Sequence, residues 1–195
     1  LATDAAPGML AQLEARRKAH PELQLAVQAC SFLELKALPA ESFDHVFSNF
    51  GGINCTPHLD RVLAGVDHAL RPGGTCALVI MPRLSPWELL AALKGHFRLA
   101  FRRWRRGGAP AQVEGVSFPC HYHEASEVRR LLGERYTVLE QRSLSLFVPP
   151  PHIEQFDRKH PRLYRTLDRM EEALAHRWPF RAWGDHYLII LRKHA

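Results

Sequence analysis

The chain has 195 residues, enough for one domain that buries a core without disulfides or a metal. Its composition, 46% hydrophobic and 24% charged, excludes the disordered and fibrous classes. Lys and Arg number 26 against 20 Asp and Glu, leaving +6, and much of the excess lies between Lys94 and Arg106, so it marks one segment rather than a basic surface.

No apolar run reaches the roughly 20 residues of a membrane span, and no signal-peptide order opens the chain. Cys30, Cys55, Cys76 and Cys120 form no CxxC pair. Together these features predict a cytoplasmic protein with reduced thiols.

Strand-like runs alternate with helical patterns through the first half, which predicts an α/β fold with parallel strands. Leu1 to Thr3 reads as the tail of a strand, Pro7 to His20 as a helix and Leu23 to Ala29 as a strand. Phe43 to Phe50 is the next strand and Pro57 to Leu70 a helix. Gly73-Gly74 predicts a turn, and Thr75 to Met81 a strand buried on both faces. Ser85 and Pro86 suit the start of a long amphipathic helix running to Trp104. Gly107, Gly108 and Pro110 break the chain, Val116 to His123 reads as extended, and Glu124 to Leu132 as a helix. Tyr136 to Val148 is a strand stopped by Pro149-Pro150-Pro151. A helix from Pro161 to Arg177 and a strand from His186 to Leu191 close the chain.

Three constellations carry chemistry. Asp4, at the end of the first strand in D-A-A-P-G-M-L, can receive both hydroxyls of a ribose on its two oxygens or simply cap the next helix. Met9 fits an adenine face or plain core. The second is F-D-H-V-F-S-N-F-G-G-I-N-C, Phe43 to Cys55. There a strand runs out into Ser48, Asn49, Phe50, Gly51 and Gly52 at its carboxyl end, the edge where open α/β sheets bind ligands. The third, L-R-P-G-G from Leu70 to Gly74, is a helix-to-strand turn.

In this order and spacing the three elements resemble the class I S-adenosylmethionine-dependent methyltransferases. The resemblance is close over roughly Leu1 to Arg83. It implies a Rossmann-like three-layer sandwich with a mostly parallel sheet and an antiparallel last strand, formed as a single domain over residues 1–195. It also implies S-adenosylmethionine as cofactor, with Asp4 on the ribose and Asn49, Phe50 and Gly51 along the methionine portion. Two departures stand out. The family's first strand and G-x-G-x-G loop should precede Leu1 and are absent from this chain. The adenine-binding acid after the family's third strand is replaced by Cys30-Ser31, leaving Ser31 or Glu34 to accept that hydrogen bond.

In such folds the segment between the fifth and sixth strands covers the active site, which makes residues 84–135 a substrate-side insertion. Trp87 and Glu88 are candidates for substrate contact, or else a core residue and a first-turn acid. Trp87, Leu90, Leu93, Phe97, Phe101 and Trp104 recur at helical spacing among Lys94, Arg98, Arg102, Arg105 and Arg106. That suits either core packing with a solvated basic edge or peripheral membrane contact through 86–106. One basic segment without a binding motif is weak support for nucleic acid. Cys120, His121 and His123 lack an evident fourth ligand, so no metal site is predicted. His121 or His123 could instead act as a base toward an acceptor hydroxyl. Asp185 and His186 are adjacent, and strand alternation predicts that they point to opposite faces and form no dyad by direct contact.

The expected function is methyl transfer to a small-molecule or lipid-like acceptor by direct displacement. A non-catalytic Rossmann-like binding module and an NAD-dependent oxidoreductase are the alternatives.

Overall fold

A computed structural model describes residues 1–113, 115–151 and 153–195. The elements run β1 (Ala2–Asp4), α1 (Pro7–Ala19), β2 (Val27–Ala29), β3 (Phe43–Ser48), α2 (Leu59–Ala69), β4 (Leu70–Ile80), α3 (Pro86–Leu89) and α4 (Phe97–Ala100). They continue with β5 (Ala109–Val113), β6 (Val116–Cys120), α5 (Ala125–Leu132), β7 (Tyr136–Leu144), α6 (Phe156–Lys159), α7 (Pro161–Leu174) and β8 (His186–Lys193).

The core follows from sequence period. Leu59, Val62, Leu63 and Val66 recur at three and four residues along α2, which puts them on one helical stripe, and all four are buried. They join Leu78 and Ile80 of β4, Val128 and Leu132 of α5, and Ile189 and Leu191 of β8 in a single apolar cluster. Both α2 and α5 therefore pack against the strands that carry the carboxyl edge.

The sheet departs from the expected mostly parallel sandwich. Its main part has four strands in the order β3-β4-β8-β7, with β3 and β4 parallel and β8 antiparallel to both β4 and β7. The antiparallel last strand agrees with expectation. A separate parallel pair, β1-β2, is not hydrogen-bonded to the main sheet. The cleft between them, about 490 Å³, is lined by Leu1, Thr3, Met9 and Leu13 on one side and by His45 and Phe47 on the other. The helix α1, which packs beside β1 and β2, buries none of its residues, and its Met9 and Leu13 face this cleft.

Three further expectations are corrected. Gly73-Gly74 lies within β4: Phe43 pairs with Leu70 and His45 with Thr75, so residues 71–74 form an outward bulge opposite Asp44. The long helix over 85–104 is instead a chain of short helical turns, broken at Gly95, whose φ of 77° lies in the left-handed region. The break expected at Gly107 to Pro110 opens a hairpin, β5-β6. Proline is tolerated there because a two-stranded hairpin has only edge strands.

Candidate functional site

The carboxyl ends of β3 and β4 and the start of β8 meet at one edge, as the pairing of Ser48 with Leu78 and of Ile80 with Tyr187 requires. Beside it a cavity of about 480 Å³ is lined by Asp4, Cys30, Phe32, Ser48, Asn49 and Gly52, among others. Its size falls in the range of ligand sites. Asp4, Asn49 and the glycine turn, distant in sequence, are thus brought together.

Asp4 Oδ1 accepts the Ala6 N–H at 2.7 Å in a turn that precedes α1, a helix without a side-chain cap bond, while Oδ2 has no partner among the described residues. The capping reading is thereby corrected to a local turn bond. Met9 lines the neighbouring cleft with Asp4 and is half exposed. Ser31 Oγ accepts the Leu33 N–H at 3.2 Å and does not line the 480 Å³ cavity, where Cys30 takes its place. Asn49 Oδ1 accepts the Phe50 N–H at 2.8 Å. Phe50 takes a left-handed φ of 48° and is 83% exposed. A bulky residue in that conformation is an outlier, and such strain clusters at ligand sites.

Gly51 is the tight point. With φ at 69°, a Cβ built there would lie 2.9 Å from Met81 Cε, 3.3 Å from Asn54 Oδ1 and 3.4 Å from His186 Nε2. Beside it Asn54 is fully buried and clamps three segments. Its Nδ2 donates to the carbonyls of Met81 and His121, and its Oδ1 accepts the Met81 N–H at 2.9 Å. The His121 N–H returns a bond to the Asn54 carbonyl at 2.7 Å. Every polar group of that amide is used, which fixes the loop after β3 against the loop after β4.

A separate, polar pocket of about 420 Å³ is lined by Pro57, Arg83, Arg105, Arg106, His121 and His123. Burial, then His123 and His58, push the His121 imidazole below its ordinary value, which keeps it neutral near pH 7. His123 is buried and its Nε2 donates to the Thr56 carbonyl at 2.9 Å, so that nitrogen is committed to holding the chain. Among the described residues no group of three or more His, Cys, Asp or Glu is arranged to hold a metal ion.

Of the two expected substrate contacts, Glu88 is buried in ion pairs, whereas Trp87 is half-buried, with its Nε1 unpartnered among the described residues. Glu88 is buried, with Oε1 accepting from Arg103 Nε and Nη2 at 2.8 and 2.6 Å while Arg102 forks onto both oxygens at 2.8 Å. Burial alone would raise the Glu88 carboxyl, but the two guanidinium groups outweigh it and lower it. Trp87 meets Phe156 edge to face at 6.1 Å, a packing contact.

Sequence reasoning missed Arg103 and misplaced Asp185. Arg103, 3% exposed, donates through Nη2 to Asp185 Oδ1 at 2.7 Å and through Nη1 to the carbonyls of Pro82 and Asp185. Asp185 Oδ2 lies 3.0 Å from His186 Nδ1. Strand alternation does not apply, because β8 begins only at His186, and Asp185 follows Gly184, whose φ of 113° turns the chain before the strand. Burial would raise the Asp185 carboxyl, but His186 and Arg103 bring it down to about 2.

A profile of the family described as "Methyltransferase domain" matches residues 1–74, the stretch that holds Asp4, the β3 exit and the bulge. No curated protein matches the sequence. Among solved structures, an S-adenosylmethionine-dependent methyltransferase from Methanosarcina mazei aligns over 98% of this chain and 80% of its own, with TM-score 0.60 at 17% identity. One from Mesorhizobium loti covers 98% and 78%, with TM-score 0.55 and 17% identity. The [4+2]-cyclase SpnF covers 99% and 65%, with TM-score 0.53 at 13% identity. At these identities the likeness is one of fold.

Proposed function

We propose, on the premise that residues 1–74 carry the methyltransferase domain and that the chain is an S-adenosylmethionine-dependent methyltransferase, that it transfers the methyl group to a small-molecule or lipid-like acceptor. The observation that carries the reading is the convergence of Asp4, Asn49 and the left-handed Phe50-Gly51 pair on one ligand edge.

The donor set fits the cofactor. Asp4 Oδ2 is available to a ribose hydroxyl, the apolar Phe32 and Ile53 wall suits a purine, and the Ser48 to Gly52 turn presents backbone to the amino-acid portion. When bound, the cofactor supplies an electrophilic methyl on a sulfonium. The protein's part is alignment and exclusion of water, with Asn54 holding the two loops that frame the reacting edge. His121, its pKa lowered by burial, lies in the insertion expected on the acceptor side.

The lipid-like choice rests on the segment after β4. Leu93 and Phe97 are 83% and 61% exposed, beside Lys94 and Arg98, and together they suit contact with an anionic membrane. No helix among the described residues is long and apolar enough to cross a membrane. Labelled methyl transfer from S-adenosylmethionine, assayed against phenolic small molecules and against anionic lipid vesicles, tests the proposal. Label in neither class, with cofactor bound, would refute the acceptor assignment. Sedimentation with anionic but not zwitterionic vesicles, lost in Leu93→Ser with Phe97→Ser, would support membrane contact.

A further inference from the structure

His186 is the group that neither the family match nor the cofactor fit employs. It opens β8 opposite Leu144 of β7, next to the pairing of Tyr187 with Ile80, so its ring sits at the carboxyl edge of the sheet. Its Nδ1 lies 3.0 Å from Asp185 Oδ2. Its Nε2 reaches toward the β3 exit, where a methyl built on Gly51 would stand 3.4 Å from it. The ring is 20% exposed, and Nε2 has no hydrogen-bond partner among the described residues.

The carboxylate behind the ring is itself held. Arg103 grips Asp185 by Oδ1 and by its backbone carbonyl, and Glu88 in turn grips Arg103. An ionised Asp185 accepts a proton bond only from Nδ1–H, which leaves Nε2 bare in the neutral ring and supports positive charge on it after it takes a proton. An oriented imidazole with its free nitrogen aimed at the ligand edge has the layout of a general base.

We propose that Asp185 and His186 form the proton-accepting dyad of this methyltransferase, and that its acceptor is a hydroxyl compound. The inference rests on the methyl-transfer reading and names its chemistry. The acceptor oxygen forms its bond to the methyl carbon as the carbon–sulfur bond breaks, the electron pair of that bond stays on sulfur, and the hydroxyl proton passes to His186 Nε2. Asp185 and Arg103 are positioning residues. An acceptor that is already an anion, such as a carboxylate, needs no such base.

The test uses the full-length protein labelled with 15N-histidine, the His186 signal being assigned by its loss in His186→Gln. In the neutral ring the dyad requires the proton on Nδ1 and none on Nε2, with Asp185→Asn shifting that balance toward Nε2–H. With phenol and labelled S-adenosylmethionine, His186→Gln lowers kcat on the order of 100-fold or more while cofactor affinity measured by calorimetry is unchanged. Asp185→Asn lowers kcat with little change in KM. A proton fixed on Nε2 in the wild type, or undiminished phenol methylation by His186→Gln, would overturn the dyad. The NMR readout needs neither acceptor nor cofactor, so it decides the matter even if phenol is not turned over. Failure of the wild type to bind S-adenosylmethionine would count against the methyl-transfer reading instead.

Discussion

The two sides of the ligand edge are built on opposite plans. On the β1 and β3 side the polar groups are few and partly free: Asp4 spends one oxygen on Ala6, Phe50 stands in solvent, and α1 buries nothing. On the β4 and β8 side the buried Glu88 and Arg103 and the half-buried Asp185 are bonded to one another, and Arg103 also to backbone carbonyls. The first side keeps its capacity for a ligand, whereas the second has spent its capacity on fixing a few groups in place. Mutations should therefore separate the two, with stability lost on one side and binding on the other.

Arg103→Met is the largest expected perturbation. It takes the buried guanidinium from Glu88 and Asp185, leaving them Arg102 and His186 as their charged partners, and breaking a buried ion pair costs about 3–5 kcal/mol; urea denaturation should show that loss, and a cost near that of a surface substitution would break the comparison. Asn54→Ala comes next, at about 2–3 kcal/mol, because it leaves the Met81 N–H and the His121 carbonyl without a partner, while the Met81 carbonyl keeps the His123 N–H.

Acid titration sharpens the same contrast. The Asp185 carboxyl is depressed to about 2, so the stability it contributes is fully present above its ordinary value and disappears as pH falls through the folded one. That contribution is about 2 kcal/mol, lost between about pH 4 and pH 2. Denaturation midpoints of the wild type should fall through that window more steeply than those of Asp185→Asn. A parallel fall in both proteins would show that Asp185 is not held as described.

The smallest effect on folding is expected at Asp4→Ala, about 0.5–1 kcal/mol through the lost turn bond to the Ala6 N–H. Its effect on cofactor affinity should be at least about tenfold, the value of a charge-assisted hydrogen bond to a ribose hydroxyl. Unchanged affinity would move the ribose away from Asp4.

The same divide explains what the sequence made legible. The β3 exit, the α2 stripe and the β4 strand follow from local patterns, and those patterns coincide with the stretch matched by the family profile. The segment 85–104 shows the opposite. Its apolar and basic residues recur at helical spacing, yet Gly95 turns the chain and Arg103, absent from that periodic pattern, is drawn inside by Glu88 and Asp185. Periodicity reports which face a side chain occupies on a regular helix, and it carries no information about a partner about 80 residues away in sequence. Asp185 escaped for a related reason: alternation holds within a strand, and the carboxylate sits one residue before β8 begins.

Calorimetric titration of the protein with S-adenosylmethionine and its demethylated product, with NAD as control, tests the central claim most directly. The account predicts that both adenosyl ligands bind and NAD does not. Binding of NAD, or of none of the three, would contradict it.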